Sequence, residues 1–152
     1  MKVTAGGIES LKEIMSYKQG MTYENSFDFN ATGQFFRQSS VSTGNGQNSK
    51  SSSEYTYLTA GGTQQVESIT SMSSWASTQN GARYESSSVY QSAYKYEVIN
   101  GTAYASETRS SGKSSYTDPQ GNLTDSSHES INQTFRNEKG VVTGSLYASR
   151  NS

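Results

Sequence analysis

The chain has 152 residues, a formal net charge of −1 and no cysteine. Hydrophobic residues make up 30% of it and charged residues 16%, whereas typical globular domains have about 45–50% and about 25%. These values predict one domain or one repeat array. They argue against a transmembrane helix, disulfides, thiolate sites and a basic surface for nucleic acid.

Small hydroxyl residues fill the places of the missing apolar and charged ones. The sequence holds 30 Ser and 15 Thr, together with 14 Gly and 11 Tyr. Intrinsic disorder normally combines low hydropathy with high net charge and few aromatics. Here the net charge is near zero and aromatics make up 11%. We therefore expect an ordered chain whose order comes from backbone pairing and aromatic packing.

The N-terminal segment holds the one helix candidate. Ile8, Leu11 and Met15 recur at helical spacing within residues 7–15, which predicts a short amphipathic helix. Two turns of helix are marginal unless they dock on another element. We expect residues 1–20 to form an N-terminal arm with this helix, and residues 21–152 to form a single β domain.

Turn signals divide the rest of the chain. Asn-Gly pairs predict tight hairpins because both residues tolerate positive φ; they occur at Asn45-Gly46, Asn80-Gly81 and Asn100-Gly101. Residues 118–121 and 137–140 suit a type I turn followed by a glycine bulge. Residues 60–62 and 30–33 are weaker candidates.

The spacing of these turns indicates an internal repeat of roughly 20 residues. The last glycines of five successive turns are 62, 81, 101, 121 and 140, so the intervals are 19, 20, 20 and 19. An aromatic residue precedes each of them by five or six positions: Tyr57, Trp75, Tyr96, Tyr116 and Phe135. Each period is either one long strand plus a turn, or two short strands in a rung of a β-solenoid. Residues 82–99 contain no Gly or Pro, which favours the single long strand.

The predicted fold is therefore an all-β antiparallel meander of long strands, closed as a barrel or folded as a sandwich, with the solenoid as the runner-up. Residues 82–99 alternate with a period of two. One face carries Tyr84, Tyr90, Tyr94 and Tyr96, and the other carries most of the charges. These rings suit either a small aromatic core or a recognition face.

Catalytic chemistry is poorly supported. His128 is the one histidine, and on a strand it would point away from Asp125 and Glu129. Carboxylates are scattered, and nucleophile-elbow, nucleotide-loop and calcium-loop patterns do not occur. We expect no enzyme activity, no cofactor and no metal site.

The composition is typical of a structural, self-assembling protein that associates through strand edges and Tyr/Ser/Thr ladders. We expect a homo-oligomer or filament, as a subunit of an extracellular fibre, a surface appendage or a virion, although no apolar signal-peptide segment follows Met1. The alternative is a module that binds a glycan or a small apolar ligand through its tyrosines. A membrane-inserting hairpin protein ranks last, because the strands lack a continuous apolar band. The residues predicted to form the assembly or ligand face are Trp75, Tyr84, Tyr90, Tyr94, Tyr96 and Tyr104.

Overall fold

The computed structural model describes residues 2–4, 7–16 and 20–152, which form ten β-strands and no helix. From β3 to β7 the strands lengthen from 8 to 18 residues, and from β8 to β10 they shorten again. Their bounds are β1 Lys2–Thr4, β2 Gly7–Ser16, β3 Thr22–Phe29, β4 Phe35–Gly44, β5 Gln47–Ala60, β6 Thr63–Gln79, β7 Ala82–Ile99, β8 Thr102–Thr117, β9 Leu123–Arg136 and β10 Val142–Asn151.

The ten strands form one sheet whose order follows the chain from β1 to β10. Each 19–20-residue period is thus one strand and one turn, which confirms the predicted antiparallel meander. Among the described strands there is one open sheet, and neither the second layer of a sandwich nor the closure of a barrel occurs. The solenoid alternative is wrong, because successive strands are hydrogen-bonded neighbours in a meander.

The segment predicted as a helix is strand β2 in the described backbone. Seven of its residues pair with β3, from Ser10↔Asp28 to Ser16↔Thr22, and Gly7, Ile8 and Ser10 pair with β1. Nine of the ten residues of β2 therefore have a register partner on β1 or on β3. The short helix predicted for this segment stays a prediction.

The two-residue turns have the backbone geometry that their sequences predict. Asn45, Asn80 and Asn100 have φ of 51°, 51° and 52°, and the glycine after each also has positive φ. Two successive residues with positive φ define the type I′ turn, whose twist matches that of the flanking strands. Gly61 and Gly62 repeat the pattern with φ of 59° and 74°.

Three longer turns share one arrangement, which begins at Asn30, Asp118 and Asn137. In each, the amide of the glycine three residues later donates to the first residue's carbonyl, at 2.8, 3.0 and 2.8 Å. The first residue's Oδ1 also accepts from the amides two and four residues on. Hydrogen bonds to the Asp118 carboxylate, first from the Asn122 side chain, hold its pKa below the usual value. The short polar side chain thereby stabilises the turn it starts.

Contacts divide the protein into two compact units. Unit 1 comprises residues 1–54, 71–89 and 114–125, and unit 2 comprises residues 55–70, 90–113 and 126–152. The boundaries fall inside strands β5 to β9. The predicted division between residues 20 and 21 stays a prediction.

Neither unit has an apolar core among its described residues. No hydrophobic side chain is buried there, and the two buried polar residues are Ser77, 1% exposed, and Glu107, 8% exposed. Burial of apolar surface is the usual driving force of folding, and it contributes little here. The folded chain is therefore stabilised mainly by backbone pairing and by half-buried side chains.

Hairpin turns also pack against one another within each unit. In unit 1 the amide of Thr78 donates to the carbonyl of Gly46 at 2.8 Å. In unit 2 a Cβ on Gly61 would lie 2.7 Å from the carbonyl oxygen of Gly101. Position 61 therefore requires glycine for two reasons, its positive φ and the close approach of the Gly101 backbone.

Gly61 and Gly62 provide a matched test of this packing. Both have positive φ, but a Cβ on Gly62 would meet nothing within 4 Å. Gly62→Ala should lower the free energy of unfolding by about 1–2 kcal/mol, the cost of a left-handed L-residue. Gly61→Ala should cost clearly more, because the Gly101 backbone must move. Urea denaturation followed by circular dichroism measures both, and equal losses would show that the turns do not pack.

Candidate functional site

The six predicted face residues lie on three adjacent strands and belong to both units. Trp75 on β6 and Tyr84 on β7 lie in unit 1, whereas Tyr90, Tyr94, Tyr96 and Tyr104 lie in unit 2. Along β7 the even positions are the more covered from Ala82 to Ser88 and again from Ser92 to Tyr96, while Tyr90 is 51% exposed. The alternation is therefore present, and the role of the six residues as an assembly or ligand face stays a prediction.

In unit 2, Tyr96 is the most tightly held of these tyrosines. Its hydroxyl donates to the backbone carbonyl of Val66 at 2.8 Å, linking residues 30 positions apart. Burial, followed by the influence of Tyr94, raises the pKa of Tyr96 above its usual value. The Tyr96 hydroxyl is thus hydrogen-bonded within unit 2.

Tyr90 and Tyr104 cover glycine backbones rather than stacking on other rings. The ring of Tyr90 lies over Gly112, where an added Cβ would collide with it. A Cβ on Gly140 would lie 2.8 Å from the hydroxyl oxygen of Tyr104. An aromatic side chain over a glycine shields the exposed backbone there; Gly112 lies in β8 and Gly140 in the turn before β10. No ring-to-ring contact joins any of the six residues in the described part of the chain.

A buried carboxylate is the polar centre of unit 2, and no motif or spacing in the sequence indicates it. Glu107 accepts from Lys95 Nζ at 2.9 Å and Arg109 Nε at 2.7 Å through Oε1, and from Gln133 Nε2 at 2.7 Å through Oε2. The partners come from β7, β8 and β9. Hydrogen bonds, the largest from Arg109, lower the pKa of Glu107 from 4.5 to about 2, and the pKa of Arg109 is raised by the same contact.

Arg136 forms a second link between the same strands. Its guanidinium donates to the carbonyl of Ala105 at 2.8 Å and to Glu97 at 3.3 Å. It also lies 5.0 Å from the centre of the Tyr104 ring, within range of a cation–π interaction. The contacts of Glu107 and Arg136 link β7, β8 and β9, and all their partners lie within unit 2. We therefore assign both residues a structural role.

Hydroxyl pairs connect neighbouring strands in both units. Ser40–Ser51 and Ser42–Ser49 are directly opposed in the β4–β5 register, with oxygens 2.7 and 2.8 Å apart. The other pairs are Ser53–Ser71, Thr56–Ser68, Ser73–Ser88, Ser92–Ser110 and Ser127–Ser152. Ser and Thr side chains thus form cross-strand hydrogen bonds within the chain, while Tyr/Ser/Thr ladders between subunits stay a prediction.

Unit 1 holds apolar and charged groups that sequence reasoning did not single out. Phe35 lies against Phe27 and Phe29, with ring centres 6.3 and 5.9 Å apart. On β4, Arg37 bridges Glu54 of β5 at 2.8 Å and Asp28 of β3 at 3.9 Å. Trp75 lines a shallow groove of about 360 Å³ with Lys50 and Glu85.

A larger groove of about 700 Å³ lies in unit 2 and is lined by three residues from each of β6 to β10. Ile69, Ala93 and Ile131 supply apolar surface, and Arg109 and Arg150 supply charge. None of the six predicted aromatics lines it. Most of the remaining lining residues are hydroxyl side chains, so its surface suits no particular ligand class.

His128 forms a simple cross-strand contact. It is paired with Asn151 on β10, and its Nδ1 lies 2.6 Å from the Asn151 Oδ1. Asp125 instead accepts from Ser115 at 2.6 Å within unit 1. Among the described residues no group of three or more potential ligands is placed to hold a metal ion.

Comparisons with family models, curated proteins and solved structures give no match for this chain. Over the described ranges, the chain forms no helix with the length and apolarity needed to cross a membrane.

The low pKa of Glu107 predicts an acid-dependent loss of stability. Because folding lowers this pKa from 4.5 to about 2, the folded state prefers the ionised form. Its contribution is complete above the unfolded value and disappears as the pH falls from about 4.5 to about 2. The midpoint of urea unfolding should therefore fall over this range in the wild type, and fall less steeply in Glu107→Gln.

Glu67→Gln is the matched control, because Glu67 is exposed in unit 2. In Glu67→Gln the midpoint of urea unfolding should depend on pH as it does in the wild type. Glu107→Gln should also be less stable than the wild type at neutral pH. A Glu107→Gln variant with an unchanged slope would contradict the assignment.

Tyr94 and Tyr96 allow a matched test of the hydroxyl contact. Tyr96→Phe removes the donor to Val66 and should lower the free energy of unfolding by about 1 kcal/mol. Tyr94→Phe should change it little, because the Tyr94 hydroxyl forms no hydrogen bond within the described part of the chain. Chemical denaturation of both variants measures the difference, and equal effects would contradict the prediction.

Proposed function

We propose that this protein is a structural, self-assembling subunit that associates through the edges of its sheet. The observation that carries the proposal is the distribution of apolar residues. No hydrophobic side chain is buried in the described part of the chain, while 14 large hydrophobic side chains are exposed. Burial of such surface between copies would supply the driving force that the single chain lacks.

The open sheet provides the means of association. A meander of ten strands leaves two outer strands with unpaired backbone groups on one side. Such edges are templates for pairing with another chain. The strands are long and carry few charges that would oppose added strands, since charged residues make up 16% of the sequence.

The hydroxyl pairs support the same function. Ser–Ser contacts such as Ser40–Ser51 and Ser73–Ser88 join neighbouring strands without net charge. Cross-strand pairs of this kind stabilise a sheet and favour one register. Ladders of the same chemistry would extend across an intermolecular pair of strands. A fibre, a surface appendage or a virion outside the cell is the setting that we propose for such a subunit.

Recognition of a glycan or apolar ligand by the tyrosines is the weaker function. The Tyr96 hydroxyl is bonded to Val66, Tyr104 lies beneath Arg136, and Tyr90 covers Gly112. These contacts engage the groups that a ligand would need.

Sedimentation velocity and negative-stain electron microscopy of the full chain test the proposal. We expect sedimentation coefficients that rise with protein concentration, and regular oligomers or filaments on the grid. A protein that remains a folded monomer up to the highest soluble concentration would overturn the proposal. Titration of that monomer with oligosaccharides would then test the alternative.

A further inference from the structure

Strand β10 forms one outer strand of the sheet and is exposed along almost its whole length. Its hydrogen-bonded neighbour is β9, with register pairs that include Leu146↔Gln133, Ala148↔Ile131 and Arg150↔Glu129. Nine of its ten residues are exposed, and the exception is Gly144. The other side of its backbone is therefore open to a further strand.

The hydrogen bonds at the end of β10 identify which backbone groups are open. Ser127 and Ser152 exchange both amide-to-carbonyl bonds, at 2.7 and 3.0 Å. In an antiparallel pair, residues of this type alternate with residues whose amide and carbonyl point away from the partner. Counting back through the register, Ala148 and Arg150 are bonded to β9. The outward groups belong to Ser145, Tyr147, Ser149 and Asn151.

The side chains of β10 also suit pairing with a chemically similar strand. Leu146 is 49% exposed and Tyr147 is 67% exposed. Arg150 is the one charged residue of the strand, and Glu129 lies opposite it on β9. A partner strand must therefore be nearly neutral and partly apolar.

We propose that the β10 edge pairs antiparallel with β10 of a second copy of this chain, in a two-fold interface centred on Ala148. This inference rests on the proposed function and specifies its interface. In this register Ser145 faces the partner's Asn151 and Tyr147 faces the partner's Ser149, so all four outward residues are satisfied. Arg150 faces the partner's Leu146, which keeps the two arginines apart. Like charges directly opposite would be destabilising.

The chain is suited to a cross-linking test of this register because it has no cysteine. Ala148 would face its own copy in a non-hydrogen-bonded pair, where Cα atoms lie about 4.5 Å apart, a separation that a disulfide can span. Under mild oxidation Ala148→Cys should form disulfide dimers at least about tenfold faster than a cysteine that meets its partner by collision only. Val98→Cys is the matched control, because Val98 is 53% exposed on the interior strand β7.

A mixed experiment fixes the register. Leu146→Cys alone should cross-link slowly, whereas a mixture of Leu146→Cys and Arg150→Cys should give the mixed dimer rapidly. Rapid cross-linking of Leu146→Cys to itself would overturn the register centred on Ala148.

Proline substitutions test the edge without any cross-link. Proline is tolerated on an edge strand where its missing amide would face solvent. Ser149→Pro should keep the circular dichroism and unfolding midpoint of the wild type and remove dimers in sedimentation velocity. Ala148→Pro, which removes an amide bonded to β9, should instead destabilise the fold.

The outcomes separate this inference from the proposed function. If the wild type assembles but Ser149→Pro still dimerises, or Ala148→Cys cross-links no faster than Val98→Cys, the β10 interface is wrong and assembly through another surface stands. If the wild type is a monomer at every concentration, the proposed function fails together with this interface.

Discussion

The register set by the hairpin turns is the constraint on which the rest of this structure depends. With no hydrophobic side chain buried among the described residues, the strands are held chiefly by their backbone ladders. A slip of one residue would move every side chain of a strand to the other face of the sheet. The turns oppose such a slip, because residues such as Asn100 and Gly101 fix a two-residue loop through their positive φ.

Correct register in turn determines which polar groups meet. Glu107 binds Lys95 and Gln133 because β7, β8 and β9 are aligned at that level. The Ser40–Ser51 pair forms because the same two positions are directly opposed. A single neutral hydrogen bond contributes about 0.5–1.5 kcal/mol net. Many such contacts distributed over the sheet therefore replace part of what an apolar core would supply.

The local features of this fold could be predicted from the sequence, because their causes are local. Asn-Gly and Asp-x-x-Gly patterns place the turns through the φ preferences of three or four residues. The aromatic residues that precede the turns alternate between the two units, because each strand runs opposite to the one before it. Unit 2 contains Tyr57, Tyr96 and Phe135, and unit 1 contains Trp75 and Tyr116.

The features that sequence reasoning missed depend on partners distant in the chain. Glu107 and Gln133 are 26 residues apart, and no spacing rule relates them. The alternation of β7 could be read from the sequence, but Tyr90 is 51% exposed. The contacts of its tyrosines with Val66 and Gly112 depend on the register of other strands.

The two outer strands of the sheet differ in a way that bears on assembly. Natural proteins protect edges with short strands and charged residues, Lys above all. Strand β1 has three residues and begins with Lys2, so it has both protective features. Strand β10 has ten residues and a single charge near its end, and it exposes Leu146 and Tyr147. A sheet with little apolar burial gains most from an added strand where the edge is long and weakly charged, and β10 meets both conditions.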